Sequence, residues 1–298
     1  MTVFDRRVVR MHRDRAAAQL WRHDFLLQDV GDRLLDRLND IRRRFPLALD
    51  LGCHGGQLAS QLNGRGGVNT LIHCDLSLNM AKIAPSPRLV ADEEALPFAE
   101  GCFDLVLSLL SLHWVNDLPG CLSQVRHALK PDGLFLAALL GGQTLKELRH
   151  ALAEAEIGGE GGLSPRIAPF ADVRDAGNLM QRAGFTLPVV DTETITVTYD
   201  SVFTLLGDLR GMGETNAVLE RRKSFSRRRT LHDAAKRYHG LFADKDGRIP
   251  ATFQVIYLTG WSPHDSQPKP LARGSATMRL AEALSAMEPG VARPRAAD

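Results

Sequence analysis

The residues best suited to chemistry lie in ALDLGCHGG (48–56), where an apolar run ends and glycines follow. Asp50 comes first, then Gly52 and Gly56, and a helical pattern begins at 57. Because glycine accepts positive φ and adds no side chain, such a strand–turn–helix lets backbone approach a nucleotide-like ligand. The acid precedes the glycines and the spacing is not GxGxxG, which disfavours a phosphate site. We expect a cationic nucleoside that carries an amino acid, and S-adenosylmethionine is the candidate cofactor.

One residue of this turn is unexpected. His54 stands where a cofactor-binding turn favours glycine. A Cβ and an imidazole there would crowd the methionine part of the cofactor, unless Gly55 and Gly56 let the turn change shape. We therefore include His54 among the cofactor-binding candidates.

Further polar residues follow the ends of the next three predicted strands. Asp75 ends the second strand, 25 residues after Asp50, where a carboxylate can accept hydrogen bonds from both ribose hydroxyls. Asp92 ends the third and could accept from an adenine amine. Ser111, His113 and Trp114 follow the fourth. Since ligands bind beyond the carboxyl ends of parallel strands, all of these residues are expected at one edge of the sheet.

Each of these residues also has a purely structural interpretation. Asp50 could cap its own turn, and Asp75 could cap the helix that follows it. Asp92, in the acidic run DEE, could be a surface residue. His113 and Trp114 could pack in the core, or Trp114 could form the apolar wall of a pocket.

Other kinds of site have little support. The four cysteines lack CxxC or CxxH spacing, so we expect free thiols in a reducing compartment. His12 and Asp14 have HxD spacing, but positions i and i+2 of a helix do not share a face. We found no GxSxG nucleophile motif. The sequence therefore predicts no metal site.

Composition restricts the partners. The chain has 298 residues, is 44% hydrophobic and carries a net charge of +2, which gives no indication of nucleic-acid binding. It lacks the roughly 18 consecutive apolar residues of a membrane-spanning helix. Eleven arginines in residues 1–44 suggest a transit peptide, but interleaved aspartates argue against one. We expect a solvated, charged helical face and a cytoplasmic protein.

Periodicity predicts the elements that position these residues. Residues 1–44 form a helical segment, and strands alternate with helices over 45–140, as in a parallel sheet. The segments TETITVTY (192–199) and TFQVIYLTGW (252–261) are late strands separated by helices. We predict a doubly wound α/β domain over 45–261 with seven strands, a cofactor half ending at 140 and an acceptor half after it. Residues 262–298 are expected to be a disordered tail.

The cofactor half resembles the class I S-adenosylmethionine-dependent methyltransferases. The resemblance rests on LDLGCHGG, on Asp75 in DLSLNM, on ADEEALPF and on LKPDGLFLAAL. It implies cofactor contacts from Asp75, Leu76, Asp92, Glu93 and Ser111. Within this class, LSLHWVNDLPGCLSQVRHALKPDG resembles the malonyl-carrier methyltransferase of biotin synthesis.

A second resemblance covers nearly the whole chain. The segments HWVNDLPG, GGQTLKELRHAL, DLRGMGETN and DGRIPATFQVIYLTGW are similar to the mitochondrial complex I assembly factor 5 family and its bacterial relatives. That resemblance implies a methyltransferase fold acting on a protein, with a complex I peripheral-arm subunit as the expected partner. The family is associated with arginine hydroxylation and is often catalogued as methyltransferases.

Catalytic and acceptor residues are harder to choose, because methyl transfer needs mainly alignment of the reacting atoms. We take His113 as the candidate base and Trp114, Tyr199 and Met212 as candidates for the acceptor pocket. Three functions stay open at this stage: an enzyme that modifies a protein, a non-catalytic assembly factor, and a carrier-protein or small-molecule methyltransferase.

Overall fold

Strands and helices alternate as the sequence predicts. The computed structural model describes residues 2–170 and 172–268. The strands are β1 Leu47–Leu51, β2 Thr70–Asp75, β3 Arg88–Val90, β4 Phe103–Leu109, β5 Leu129–Leu140, β6 Thr186–Tyr199 and β7 Ile249–Trp261. The α-helices are α1 Arg6–Ala16, α2 Phe25–Asp36, α3 Gln57–Gln61, α4 Leu78–Ile83, α5 Leu118–Ala128, α6 Lys146–Glu160, α7 Val173–Arg182, α8 Val202–Met212 and α9 Arg228–Phe242.

The seven strands form one sheet, which confirms the predicted fold class. Their order is β3-β2-β1-β4-β5-β7-β6. β1 to β5 pair in parallel, and β7 is antiparallel to both of its neighbours. The strand order reverses between β1 and β4, and ligands of doubly wound sheets bind beyond the carboxyl ends of the strands at such a point. Asp50 and Asp75 lie at this edge.

The N-terminal helices belong to the same compact unit as the sheet, which spans residues 1–264. Apolar residues of α2 recur at helical spacing and face the core, where they are at most 3% exposed: Leu26, Leu27, Val30, Leu34 and Leu35. Burying each of these side chains contributes about 1.5–3 kcal/mol. The long segment between β6 and β7 contains α8 and α9, as expected.

The LKPDG segment lies within a strand, although Pro131, Asp132 and Gly133 are residue types typical of a turn. β5 already begins at Leu129 and continues through the segment, with a register shift against β4. Asp132 takes φ 62°, and a Cβ on Gly133 would lie 2.9 Å from the Lys130 carbonyl oxygen. The segment is therefore an irregularity within a strand.

The expected tail lies mostly outside the described residues, which end at 268. Its first residue is held in place, because the Ser262 amide donates to the Gly133 carbonyl at 2.8 Å. Among the helices of residues 2–170 and 172–268, none has the length and hydropathy needed to cross a bilayer.

Candidate functional site

The turn after β1 requires its glycines. Gly52 has φ 70° and Gly56 has φ 80°. A Cβ on Gly52 would lie 2.0 Å from the Ser111 Oγ, and one on Gly56 would lie 2.5 Å from Pro85. Conformation and close packing therefore both favour glycine at these two positions.

Asp75 lies at the end of β2, fully buried. Its Oδ1 accepts from the Ser77 amide at 2.8 Å, and its Oδ2 accepts from the His54 amide at 3.0 Å. The carboxylate thus connects the turn after β1 to the turn after β2. Asp50, one strand away, is bonded through Oδ2 to the His73 Nδ1 at 3.0 Å, and its Oδ1 has no partner. Burial raises the pKa of Asp50 against the opposing effect of His73.

Glu93 and Ser111 complete the polar floor of the predicted cofactor site. Both are fully buried, and the Ser111 Oγ donates to the Glu93 Oε1 at 2.8 Å. Burial would raise the pKa of Glu93, but Arg13 and Arg6 outweigh it and lower that pKa to about 2. Asp92 is partly exposed and accepts from the Glu94 amide.

Arg13 corrects the expectation that the N-terminal arginines form a solvated face. Its side chain is 2% exposed and lies among the predicted cofactor residues. Nη1 is 2.9 Å from the Glu93 Oε1 and 3.4 Å from both Asp75 oxygens, and Nη2 donates to the Ser111 Oγ at 2.8 Å. Burial lowers the pKa of Arg13, but these carboxylates outweigh it and raise the value above its ordinary range. α1 directs this residue inward because it packs across the carboxyl edge of the sheet.

A second arginine of α1 lies nearby. The Arg6 guanidinium contacts Asp92 at 2.6 Å, bonds to Glu93, and donates to the Trp114 carbonyl at 3.2 Å. Its side chain is 14% exposed. Arg13, which is buried, and Arg6, which is largely buried, are cations of the chain itself that balance the acids of the predicted nucleoside site.

His54 faces away from the acids and towards the acceptor half. Its Nε2 lies 2.9 Å from the Leu109 carbonyl oxygen, and its Nδ1 is buried without a partner. Burial, with Arg13 nearby, lowers the pKa of His54, which favours the neutral ring. A carbonyl only accepts, so Nε2 carries the proton and Nδ1 is a free acceptor.

Two adjoining cavities lie beyond His54. The inner cavity, of about 20 Å³, is lined by His54, Leu26, Leu27, Leu110, Leu140, Leu145, Phe170, Leu209, Met212, Glu214 and Phe253. The outer cavity, of about 200 Å³, shares four of these residues, namely Leu145, Phe170, Leu209 and Glu214. Trp114 and Arg166 also line the outer cavity. The walls are mainly apolar, as in small-ligand pockets.

Glu214 provides the carboxylate common to both cavities. Its Oε2 lies 2.9 Å from the His113 Nε2 and accepts from the Trp114 Nε1 at 2.9 Å. Burial would raise the pKa of Glu214, but His113 outweighs it and lowers the value. The 3-10 turn 112–114 after β4 and the loop after α8 thus meet at this group.

Of the residues predicted for the acceptor pocket, some line the two cavities and one does not. Trp114 and Met212 line the cavities, and His113 reaches them through Glu214. Tyr199 does not line either cavity; it is buried in the main core at the end of β6, because that strand ends against α8. Leu76 packs in a small apolar cluster with Phe4 and Trp114.

A further buried cluster lies beneath the turn, although the sequence predicted no metal site. The ligand atoms of Asp50, Cys53 and His73 lie within 4.8 Å of one another. One carboxylate, one thiol and one imidazole are a donor set that zinc or iron accepts, and the free Oδ1 of Asp50 leaves room for a further bond. Burial raises the pKa of Cys53 well above its ordinary value in the metal-free cluster.

Sequence reasoning missed Arg13, Arg6 and Glu214. The segment DLRGMGETN, which includes Glu214, carries part of the family resemblance, but nothing in its spacing distinguishes the glutamate. Arg13 lies in a run rich in charge, and only the packing of α1 shows which arginine is buried. His73 lies opposite Asp50 on the neighbouring strand. This pairing follows from the register of β1 against β2, which the local sequence pattern does not give.

Comparison with known proteins agrees with this geometry. Residues 49–137 match the family model described as a methyltransferase domain. The human protein named mitochondrial arginine-hydroxylase NDUFAF5 is 46% identical over 95% of this chain and 83% of its own length. A malonyl-[acyl-carrier protein] O-methyltransferase from Methylovorus sp. (strain MP688) is 32% identical over 88% of this chain and 90% of its own.

A solved structure shares the fold. It is the phosphoethanolamine N-methyltransferase 2 of Haemonchus contortus in complex with S-adenosyl-L-methionine. The TM-score is 0.53 at 16% identity, and the match covers 86% of this chain and 60% of that one. At that identity the likeness supports the fold alone.

Proposed function

The chain belongs to the family of the mitochondrial arginine-hydroxylase NDUFAF5. From this membership we propose that it modifies an arginine side chain of a protein, and from its methyltransferase domain over residues 49–137 we propose that it binds S-adenosylmethionine. The observation that carries the proposal is Glu214, a carboxylate at the junction of two apolar cavities whose side chain is only 12% exposed. The cofactor site lies on the other side of His54, so the two ligands would meet at the turn after β1.

The acceptor groups suit a guanidinium. An arginine side chain has an apolar stem and a planar head with five N–H donors and no acceptor. The outer cavity offers apolar walls to the stem. At its inner end the Glu214 carboxylate would accept hydrogen bonds, and His54, whose Nδ1 has no partner, lines the adjoining inner cavity. His113 and Trp114 both contact Oε2 of Glu214, so Oε1 is left to bind the ligand.

The same charge disfavours the carrier-protein alternative. A malonyl group ends in a carboxylate, which the Glu214 carboxylate would repel. Arg166 lines the outer cavity, but its Nε lies 2.6 Å from the Glu156 Oε1, so its charge is already balanced. Failure of this gene to rescue a biotin-requiring strain would agree with this argument, and rescue would restore the alternative.

The reaction on the arginine has two candidates. Methyl transfer is supported by the fold, since the sulfonium is a strong leaving group and the pocket has only to align it with a nucleophile. Hydroxylation is supported by the activity for which the relatives are named, and it requires a group that activates oxygen. Asp50, Cys53 and His73 are the residues that would hold a metal ion for that chemistry.

Intact-mass spectrometry of complex I peripheral-arm subunits tests the proposal, because the family resemblance makes such a subunit the expected partner. Subunits from a deletion strain are compared with those from strains complemented with the wild-type chain or with Asp75→Asn. We expect a gain of about 14 Da for methyl transfer or about 16 Da for hydroxylation, with the wild type only. No gain in assembled complex would support the non-catalytic assembly factor.

The cytoplasmic location stays a prediction from composition. It can be checked with the same strains by fractionation.

A further inference from the structure

Arg13 occupies the groups that the cofactor ribose is expected to use. This inference rests on the proposed cofactor. The guanidinium lies 3.4 Å from both oxygens of Asp75, 2.9 Å from Glu93 and 2.8 Å from the Ser111 Oγ. Ribose hydroxyls are expected to donate hydrogen bonds to the same Asp75 carboxylate. The guanidinium and the ribose would therefore occupy the same position.

The Asp75 carboxylate has too few hydrogen-bond acceptor positions to bind Arg13 and the ribose at the same time. Oδ1 already accepts from the Ser77 amide and Oδ2 from the His54 amide, and these bonds fix the turns on either side. Each oxygen also lies 3.4 Å from the Arg13 Nη1. A carboxylate has about four lone-pair sites, and two diol donors would use the remaining two. Ribose binding therefore requires the guanidinium to leave.

The helix that carries Arg13, α1, is attached to the segment that follows α8. Its Cα lies 3.5 Å from the position of a Cβ on Gly213, and the neighbouring His12 Nδ1 lies 2.9 Å from the Thr215 carbonyl oxygen. At the start of α1, the Asp5 amide donates to the Ala217 carbonyl at 2.8 Å. The helix thus covers the nucleoside site and is held down by the segment that carries Glu214.

The charges of the site explain why a cation of the chain lies among these carboxylates. Asp75 and Glu93 are fully buried, and an unpaired buried carboxylate is strongly destabilising. We propose that Arg13 is an intramolecular competitor of the cofactor: it neutralises Asp75 and Glu93 in the cofactor-free chain and is displaced from them when S-adenosylmethionine binds. The cofactor, which carries a sulfonium and an ammonium group, brings positive charge in exchange.

Titration calorimetry of the full chain with S-adenosylmethionine tests this. Arg13→Gln is compared with wild type and with Arg7→Gln, an exposed arginine of the same helix. We expect Arg13→Gln to bind the cofactor roughly tenfold more tightly or better, because at least one charge-assisted bond no longer has to be broken. Arg7→Gln should bind like wild type. The cofactor-free Arg13→Gln protein should melt at a lower temperature, and the cofactor should raise its Tm by more than it raises that of wild type.

Equal or weaker cofactor binding by Arg13→Gln would overturn the proposal, since Arg13 would then be neutral towards the cofactor or part of the occupied site. If wild type binds and Arg13→Gln binds no better, only this inference fails and the proposed function stands. If neither protein binds, both fail. Should Arg13→Gln not fold, Arg13→Lys keeps the charge but loses the planar fork, and it is expected to bind more tightly than wild type. Binding no tighter than wild type would reject the competition.

Discussion

Replacing Glu214 by glutamine tests the acceptor site with little disturbance of the fold. Both hydrogen bonds from His113 and Trp114 end on Oε2, at 2.9 Å each. A glutamine can place its carbonyl oxygen there and keep both bonds, so we expect a stability loss of about 1 kcal/mol from the weaker, uncharged acceptor. The other position would then hold an NH₂ group, which donates and cannot accept.

The expected effect on binding is larger. A hydrogen bond to a charged group contributes about 1.5–3 kcal/mol, and each 1.4 kcal/mol is a factor of ten. Glu214→Gln should therefore weaken binding of a guanidinium by about 10-fold to 100-fold. The matched control is Glu220→Gln, an exposed glutamate six positions later in the same segment.

The assay uses two probes of nearly equal shape. N-acetyl-arginine amide carries the guanidinium, and N-acetyl-citrulline amide replaces it by a neutral urea. Their dissociation constants are measured by ligand-observed NMR in the presence of S-adenosylmethionine. Wild type and Glu220→Gln should prefer the arginine probe, and Glu214→Gln should lose that preference. An unchanged preference in Glu214→Gln would refute the assignment of Glu214 as the cation-binding group.

Three further predictions concern the cofactor edge, the turn and the surface. The pKa of Glu93 is lowered from 4.5 to about 2, so its ion pairs stabilise the fold above pH 4.5, and this stabilisation is lost as pH falls towards 2. Glu93→Gln should therefore flatten the plot of unfolding free energy against pH in this range, and an unchanged slope would contradict the pairing. Gly52→Ala should lower Tm and abolish calorimetric cofactor binding, because its Cβ would meet Ser111 at 2.0–2.2 Å; normal binding would contradict the close packing. The run RRKSFSRRR (221–229) has six cations, and Phe225 is fully exposed, so substituting glutamine for its last three arginines should weaken pull-down of an acidic protein partner and reduce the salt dependence; unchanged capture would indicate a merely solvated loop.

The sequence predicts the sheet well because hydrophobic periodicity and glycine spacing are local. Asp50, Asp75, Glu93 and Ser111 lie together since parallel strands bring their ends to one edge. Arg13 could not be predicted from local pattern, because its burial depends on how α1 packs across an edge more than sixty residues away in sequence. Its polar neighbours in HRDR are equally suited to solvent.

The acceptor side shows the same limit. Trp114 and Met212, predicted for the acceptor pocket, line the two cavities proposed to be that pocket, whereas Tyr199 lies in the core. Glu214 could not be predicted because its partners, His113 and Trp114, lie about a hundred residues away in sequence. His54 is unusual at a glycine position, yet its ring turns towards Leu109 and the cavities, and it does not contact the buried Asp75 through its side chain.

The central claim is that the chain modifies arginine, and one measurement addresses it most directly. The purified chain is incubated with a peripheral-arm subunit taken from the deletion strain and with S-adenosylmethionine deuterated in its methyl group. The incubation is done in air with ferrous iron and ascorbate, which supply the oxidant, the metal ion and the reductant that oxygen addition requires. The subunit is then mapped by tandem mass spectrometry. We predict a single new modification on an arginine, with deuterium if the methyl group is transferred and without it if oxygen is added. A modification on a carboxyl group, or an unmodified subunit, would contradict the account.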